Sequence, residues 1–109
     1  MLFSKLVFPV IGMALAACSA TAAPVNCPAF TQVGAVKHAL NNASLYDGPP
    51  EQMADLIPDV TGNMDKWDLD SVDPYLVCKY LGTTKVLTFH ASHAQICEAG
   101  GTPFQAYCR

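Results

Sequence analysis

The sequence predicts a small, mainly β domain: an antiparallel meander with one short helix, stapled by two disulfides, with a small α+β arrangement as the alternative. Three observations carry this reading. The C-terminal third consists of short aromatic and apolar runs separated by turn residues. Four cysteines stand in residues 23–109, an even number that suits two bridges in a short exported chain. The first residues have the pattern of a removable export signal, which takes them out of the fold.

That leader begins with the basic start Met1–Lys5 and continues as the uncharged run Leu6–Ala17. The run has the length of a signal-peptide core and is too short to cross a bilayer as a permanent helix. Ala20-Thr21-Ala22 fits cleavage that makes residues 1–22 the signal and residues 23–109 a single domain. Leu15-Ala16-Ala17-Cys18 instead resembles a bacterial lipobox, which would make residues 1–17 the signal and Cys18 the lipidated first residue. Stable anchoring needs two or more acyl chains, as a lipoprotein has. Ser19 after the cysteine would, by the same resemblance, favour the outer membrane. Either route removes Cys18 from the disulfide count.

Along the domain, Ala23–Pro28 reads as an extended leader, because Pro24 and Pro28 disfavour helix. Residues 30–40 have mixed periodicity and fit a strand or a short helix. Asn41 and Asn42 suggest a turn, followed by a short strand from Ala43 to Tyr46. Asp47-Gly48-Pro49-Pro50 is a breaker, and Glu51 to Leu56 then reads as the short helix, with Met53, Leu56 and Ile57 inward. Pro58 stops it. Val60–Asn63 reads as a loop and Met64–Leu69 as a strand centred on Trp67. Four further strands follow at Tyr75–Leu81, Lys85–His90, Ala94–Glu98 and Phe104–Cys108. Their short connections suit hairpins, since parallel crossovers need more chain.

Strand spacing bears on the cross-links among Cys27, Cys78, Cys97 and Cys108. In a meander Cys78 and Cys97 lie two strands apart, beyond the usual reach of a bridge, whereas Cys97 and Cys108 face across the last hairpin. This favours Cys97–Cys108 with Cys27–Cys78, and the sequence leaves the other two pairings open. A domain this small buries a modest core, so bridges worth roughly 2–4 kcal/mol each matter to its stability.

The net charge is −3, and eight of the nine acids lie in residues 47–73 with only Lys66 against them. No clustered Lys and Arg surface is present, which argues against a nucleic-acid partner. Asp55, Asp59, Asp68 and Asp70, with the Gly82–Lys85 and Gly100–Pro103 loops, form the candidate partner surface. The four-aspartate run 65–73 fails the EF-hand template, because Val72 and Asp73 stand where a ligand and the turn glycine belong. No cysteine pair has zinc-finger spacing. His90 and His93 fall at a strand end and a turn, and Ser92 has no nucleophile-elbow context. No catalytic residue, metal site or cofactor is assigned.

Cys27-Pro28, Leu45-Tyr46-Asp47-Gly48-Pro49-Pro50-Glu51, Leu56-Ile57-Pro58-Asp59, Trp67, Val77-Cys78-Lys79-Tyr80-Leu81-Gly82-Thr83, Cys97 and Cys108-Arg109 together carry a resemblance. It is to a family of small exported proteobacterial proteins of unknown function, named after a Salmonella Typhi locus. The resemblance implies export, a four-cysteine framework and one module, and it brings no activity. The segment from Cys27 to Leu40 is shorter than that family's pattern, which implies a missing or reduced front strand.

These features favour a non-enzymatic binding protein of inhibitor or immunity type, in the periplasm or anchored to the outer membrane through Cys18. Its partner would be an envelope or secreted protein, and only the lipid anchor would touch a membrane. The alternatives are an envelope hydrolase or metal-binding protein using His90, His93 and the acids, and a structural envelope component.

Overall fold

A computed structural model describes residues 23–109; the signal segment and Cys18 lie outside the described residues. The strands are β1 (Val25–Asn26), β2 (Phe30–Val33), β3 (Val36–Asp47), β4 (Asp55–Leu56), β5 (Asp59–Thr61), β6 (Met64–Asp68), β7 (Pro74–Tyr80), β8 (Val86–His90), β9 (Ile96–Gly100) and β10 (Gln105–Cys108). They form two sheets, one in the order β1-β10-β9-β6-β5 and the other β2-β3-β7-β8, with β4 also pairing β3. Every pairing is antiparallel.

Period-two alternation decides which side chains meet between the sheets. On β7, Leu76, Cys78 and Tyr80 point inward, and on β9 and β10 so do Cys97, Ala99, Ala106 and Cys108. Small alanines on one sheet thus face large leucines on the other, which lets the layers approach. Leu45 and Leu76 are completely buried, each worth about 1.5–3 kcal/mol of transfer from water.

Several local expectations change. The short helix is a single 3₁₀ turn, Pro50–Gln52, and Asp55–Leu56 is strand instead, paired with Leu45 and Tyr46. Met53 and Ile57, expected inward, are 81% and 92% exposed. The chain reverses at Gly34–Ala35, where Gly34 takes φ +62° in a two-residue hairpin loop, and so the segment before Leu40 is a hairpin. No turn forms at Asn41–Asn42. The register passes from Leu40↔Tyr80 to Asn42↔Lys79, a bulge at Asn41. That extra residue shifts the parity, so Leu40, Ala43 and Leu45 all face the core. Val60 and Thr61, within the expected Val60–Asn63 loop, belong instead to β5, which forms a hairpin with β6. The last four strands make two hairpins in different sheets, because Ala91–Gln95 carries the chain across and β9 pairs with β6 rather than β8.

The disulfides join Cys27 to Cys78 and Cys97 to Cys108. Cys27 runs beside β10, donating its N–H to Ala106 O, so its bond to Cys78 on β7 ties one sheet to the other. Cys97 and Cys108 stand directly opposite on β9 and β10, with Cα atoms 4.0 Å apart. Ile96 and Arg109 exchange backbone hydrogen bonds next to them, which makes the cysteines the close, non-hydrogen-bonded pair of an antiparallel ladder. Cys78 and Cys97 are not two strands apart in one meander, as expected, but lie in different sheets, and each is bonded to another partner.

Gly100 ends β9 at φ +147°, and a Cβ there would collide with the carbonyl oxygen of Asn63 and crowd the backbone of Met64. Neither neighbour is the end of a flexible side chain. Gly100→Ala should therefore cost about 3 kcal/mol or more, from overpacking and backbone strain together. Thermal unfolding of the purified variant checks this.

Two tyrosines fasten the ends. Tyr80 donates its hydroxyl to Pro28 O at 2.8 Å, and Tyr107 donates to Glu98 Oε1 at 2.6 Å. Burial raises the pKa of Tyr80, and the hydrogen bond to Glu98, aided by burial, raises that of Tyr107. The neutral form is thus held in the fold, while the unfolded chain ionises at its ordinary value of 10.0. Their contribution is full below that pH and is lost as pH climbs past it toward the folded values. Urea unfolding should show stability insensitive to these groups at neutral pH and falling above 10, less steeply in Tyr107→Phe.

Candidate functional site

The acids gather where the two sheets meet at one end of the sandwich. Trp67, 5% exposed, sits on β6 opposite Cys97, and its indole N–H donates to Leu56 O on β4 at 2.9 Å. One side chain thereby links the two sheets and satisfies its own polar atom. Around it opens a shallow groove of about 150 Å³, lined by Leu56, Ile57, Asp59, Trp67, Asp68 and Leu69 among others. The lining mixes apolar side chains with the carboxylates of Asp59 and Asp68 and the ammonium-bearing Lys66.

Pro49, Pro50 and Pro58 bracket a segment whose only strand pairing is the two-residue β4, and Met53 and Ile57 on either side of it project into solvent. Val60 on the edge strand β5 is also exposed. Asp55, Asp59, Asp68 and Asp70 are all exposed, and two of them, Asp59 and Asp68, line the groove. Among the described residues the only carboxylates within 4.0 Å of a basic side-chain nitrogen are Asp73, beside His90, and Glu98, beside Arg109, so none of these four has a basic partner at that distance. Lys66 stands across the ladder from Asp59 without pairing it. The end is therefore negative, solvent-facing and studded with large apolar groups.

Neither of the two loops placed on the same surface by sequence lines the groove, and Gly100 pairs Met64 at the end of β6 away from Asp68. Gly101 N–H reaches Asn63 O, which sets the Gly100–Pro103 turn beside the β5–β6 turn. Gly82–Lys85 lies at the other end of β7, about 20 Å from Pro74 by strand rise. There Lys85 Nζ donates to Gln32 O and His38 Nδ1 meets Leu81 O, closing the β2–β3 hairpin against the β7–β8 turn.

His90 finds a carboxylate that sequence proximity did not show. Its Nε2 lies 2.6 Å from Asp73 Oδ1, and its ring stacks on Tyr75 with centroids 4.2 Å apart. The β7–β8 ladder makes this contact, since Tyr75 and His90 are register partners. Ser92 Oγ is 3.3 Å from both ring nitrogens. An oxygen equidistant from both in the ring plane would strike Cε1, so it sits over the ring face. That is not the geometry by which a histidine takes a proton from a nucleophile, which needs the hydroxyl in line with the nitrogen opposite the acid. His93 is apart, in a turn with φ +66°. Among the described residues no group of three or more His, Cys, Asp or Glu is placed to hold a metal.

Comparison with known proteins settles the family. Residues 34–107, more than half of the chain, match the model of the family described as Type VI secretion system Tli immunity protein. The chain belongs to that family. The Tli match runs from the β2–β3 turn to Tyr107, and so covers the whole acidic end, Trp67 and the groove. Cys78 and Cys97 fall inside it, and their partners Cys27 and Cys108 lie just beyond its two ends. The likeness to exported proteins named after a Salmonella Typhi locus remains a resemblance, and the Tli family is the one shown. No curated protein and no solved structure matches the chain significantly.

Ile57 and Met53 are the exposed apolar groups beside the acids that the sequence concealed. A helical reading of 51–56 turned them inward, and only the proline bracketing hinted otherwise.

Proposed function

We propose that this chain is a non-enzymatic immunity protein that captures an effector delivered by a type VI secretion system, and that the acidic end is its capture surface. Membership of the Tli immunity family supports the class of function. The observation that carries the surface is the set of unpaired, exposed carboxylates around a groove from which Ile57 projects. Apolar anchors ringed by charge give a binding surface both affinity and orientation. A stapled sandwich presents them with little left to order on binding. The partner's matching face carries Lys or Arg around an apolar pocket that accepts Ile57.

The envelope is the compartment in which this reading works. Two disulfides suit an oxidising space, and the leader, either residues 1–22 or residues 1–17 with Cys18 lipidated, fits export. Metabolic labelling with palmitate separates an anchored protein from a soluble periplasmic one.

Capture is tested in recipient cells carrying a tagged copy, challenged by attackers with a working or a disabled type VI apparatus. One attacker protein should be recovered in stoichiometric amount from the first challenge only. Neutralising Asp55, Asp59, Asp68 and Asp70 together to Asn should reduce its recovery sharply. Undiminished recovery by that variant would remove the acidic end from the binding surface.

A further inference from the structure

Strand β8 is an edge with unusual features. It pairs β7 on one side, and among the described residues no strand pairs its other side. Ala91 N–H donates to Pro74 O, which fixes the phase of the ladder: Leu87 and Phe89 turn their backbone groups toward β7. Val86, Thr88 and His90 therefore direct theirs away, along the open edge. Natural sheets protect such an edge with charge, proline or a bulge. Val86-Leu87-Thr88-Phe89-His90 has no Asp, Glu, Lys, Arg or Pro, and its ladder is regular.

We propose that β8 is the interface of a symmetric dimer, in which two copies of this chain pair their β8 strands antiparallel about Thr88. That register places Thr88 opposite its counterpart and Val86 opposite His90, so all the outward backbone groups of the three residues bond across the axis. It also sets Leu87 of one copy beside Phe89 of the other. Both are only half-buried on the inner face of the single chain, next to the core. Aromatic–aliphatic cross-strand pairs of this kind are favourable.

Charge selects a second copy as the occupant. Two chains of net charge −3 repel at the acidic end, and β5, the edge there, carries Asp59. β8 is uncharged along its length. In the twofold register Lys85, which flanks it, comes to the end where the other copy holds Asp73 against His90. β8 carries none of Asp55, Asp59, Asp68 and Asp70, so the strand pairing itself does not use the residues of the capture surface proposed above.

Light scattering on the purified, disulfide-bonded protein tests this at about 100 μM, a concentration that populates a small strand-only interface. The expected result is twice the chain mass. Thr88→Pro removes the central N–H, which the single chain does not use, and should give the monomer mass with unchanged circular dichroism and melting. Thr88→Val keeps the backbone donor and should stay dimeric. A monomeric wild-type protein, a dimeric Thr88→Pro variant, or a monomer whose β8 accepts only an extended partner peptide would each overturn the proposal.

Discussion

Replacing both Cys27 and Cys78 with alanine should lower the unfolding free energy by about 4 kcal/mol, on a chain-entropy basis, because the bond closes 51 residues. The same exchange at Cys97 and Cys108 closes only 11 and should cost about 3 kcal/mol. The consequences differ further in kind. Cys97 and Cys108 remain register partners in a hairpin that the β9–β10 ladder holds anyway. Cys27 and Cys78 join two sheets that otherwise meet through side chains, among them small alanines. A small domain's whole stability is about 5–15 kcal/mol, so losing the inter-sheet bond consumes much of it. Denaturant unfolding of the two double variants should rank them in that order, with the inter-sheet variant the less stable.

Ile57→Asp should weaken effector binding about 100-fold, the loss typical of an apolar anchor taken from the centre of an interface. At 92% exposure the side chain supports nothing in the fold, and the melting temperature should not move. The loss should appear mainly as faster dissociation. Neutralising Asp55, Asp59, Asp68 and Asp70 should act on the other rate: exposed charges steer encounter, so association slows and loses its salt dependence. Surface-based kinetics at low and high salt distinguish the two effects.

How far the sequence disclosed this molecule depends on how local each signal is. The alternation of Tyr75 to Tyr80 is intact, and β7 is where the composition places it. Trp67 likewise marks β6. Strand β3 was harder, because the bulge at Asn41 puts Leu40, Ala43 and Leu45 on one face and breaks the period that a strand otherwise shows. The crossing at Ala91–Gln95 has no sequence signature, since whether β9 pairs β8 or β6 is a choice between distant partners. At the site, the charge run disclosed the aspartates, which need only be exposed. Ile57 stayed hidden, for an isoleucine's exposure depends on what the rest of the chain declines to cover.

The most direct test is survival of recipient cells under attack by a type VI-armed competitor, with the chain absent, present, or carrying the four Asp→Asn changes and Ile57→Asp together. The wild-type chain should restore survival to the level seen against a disabled attacker. The variant, exported and folded in equal amount, should leave cells as sensitive as those without the chain. Full protection by the variant would contradict capture through the acidic end.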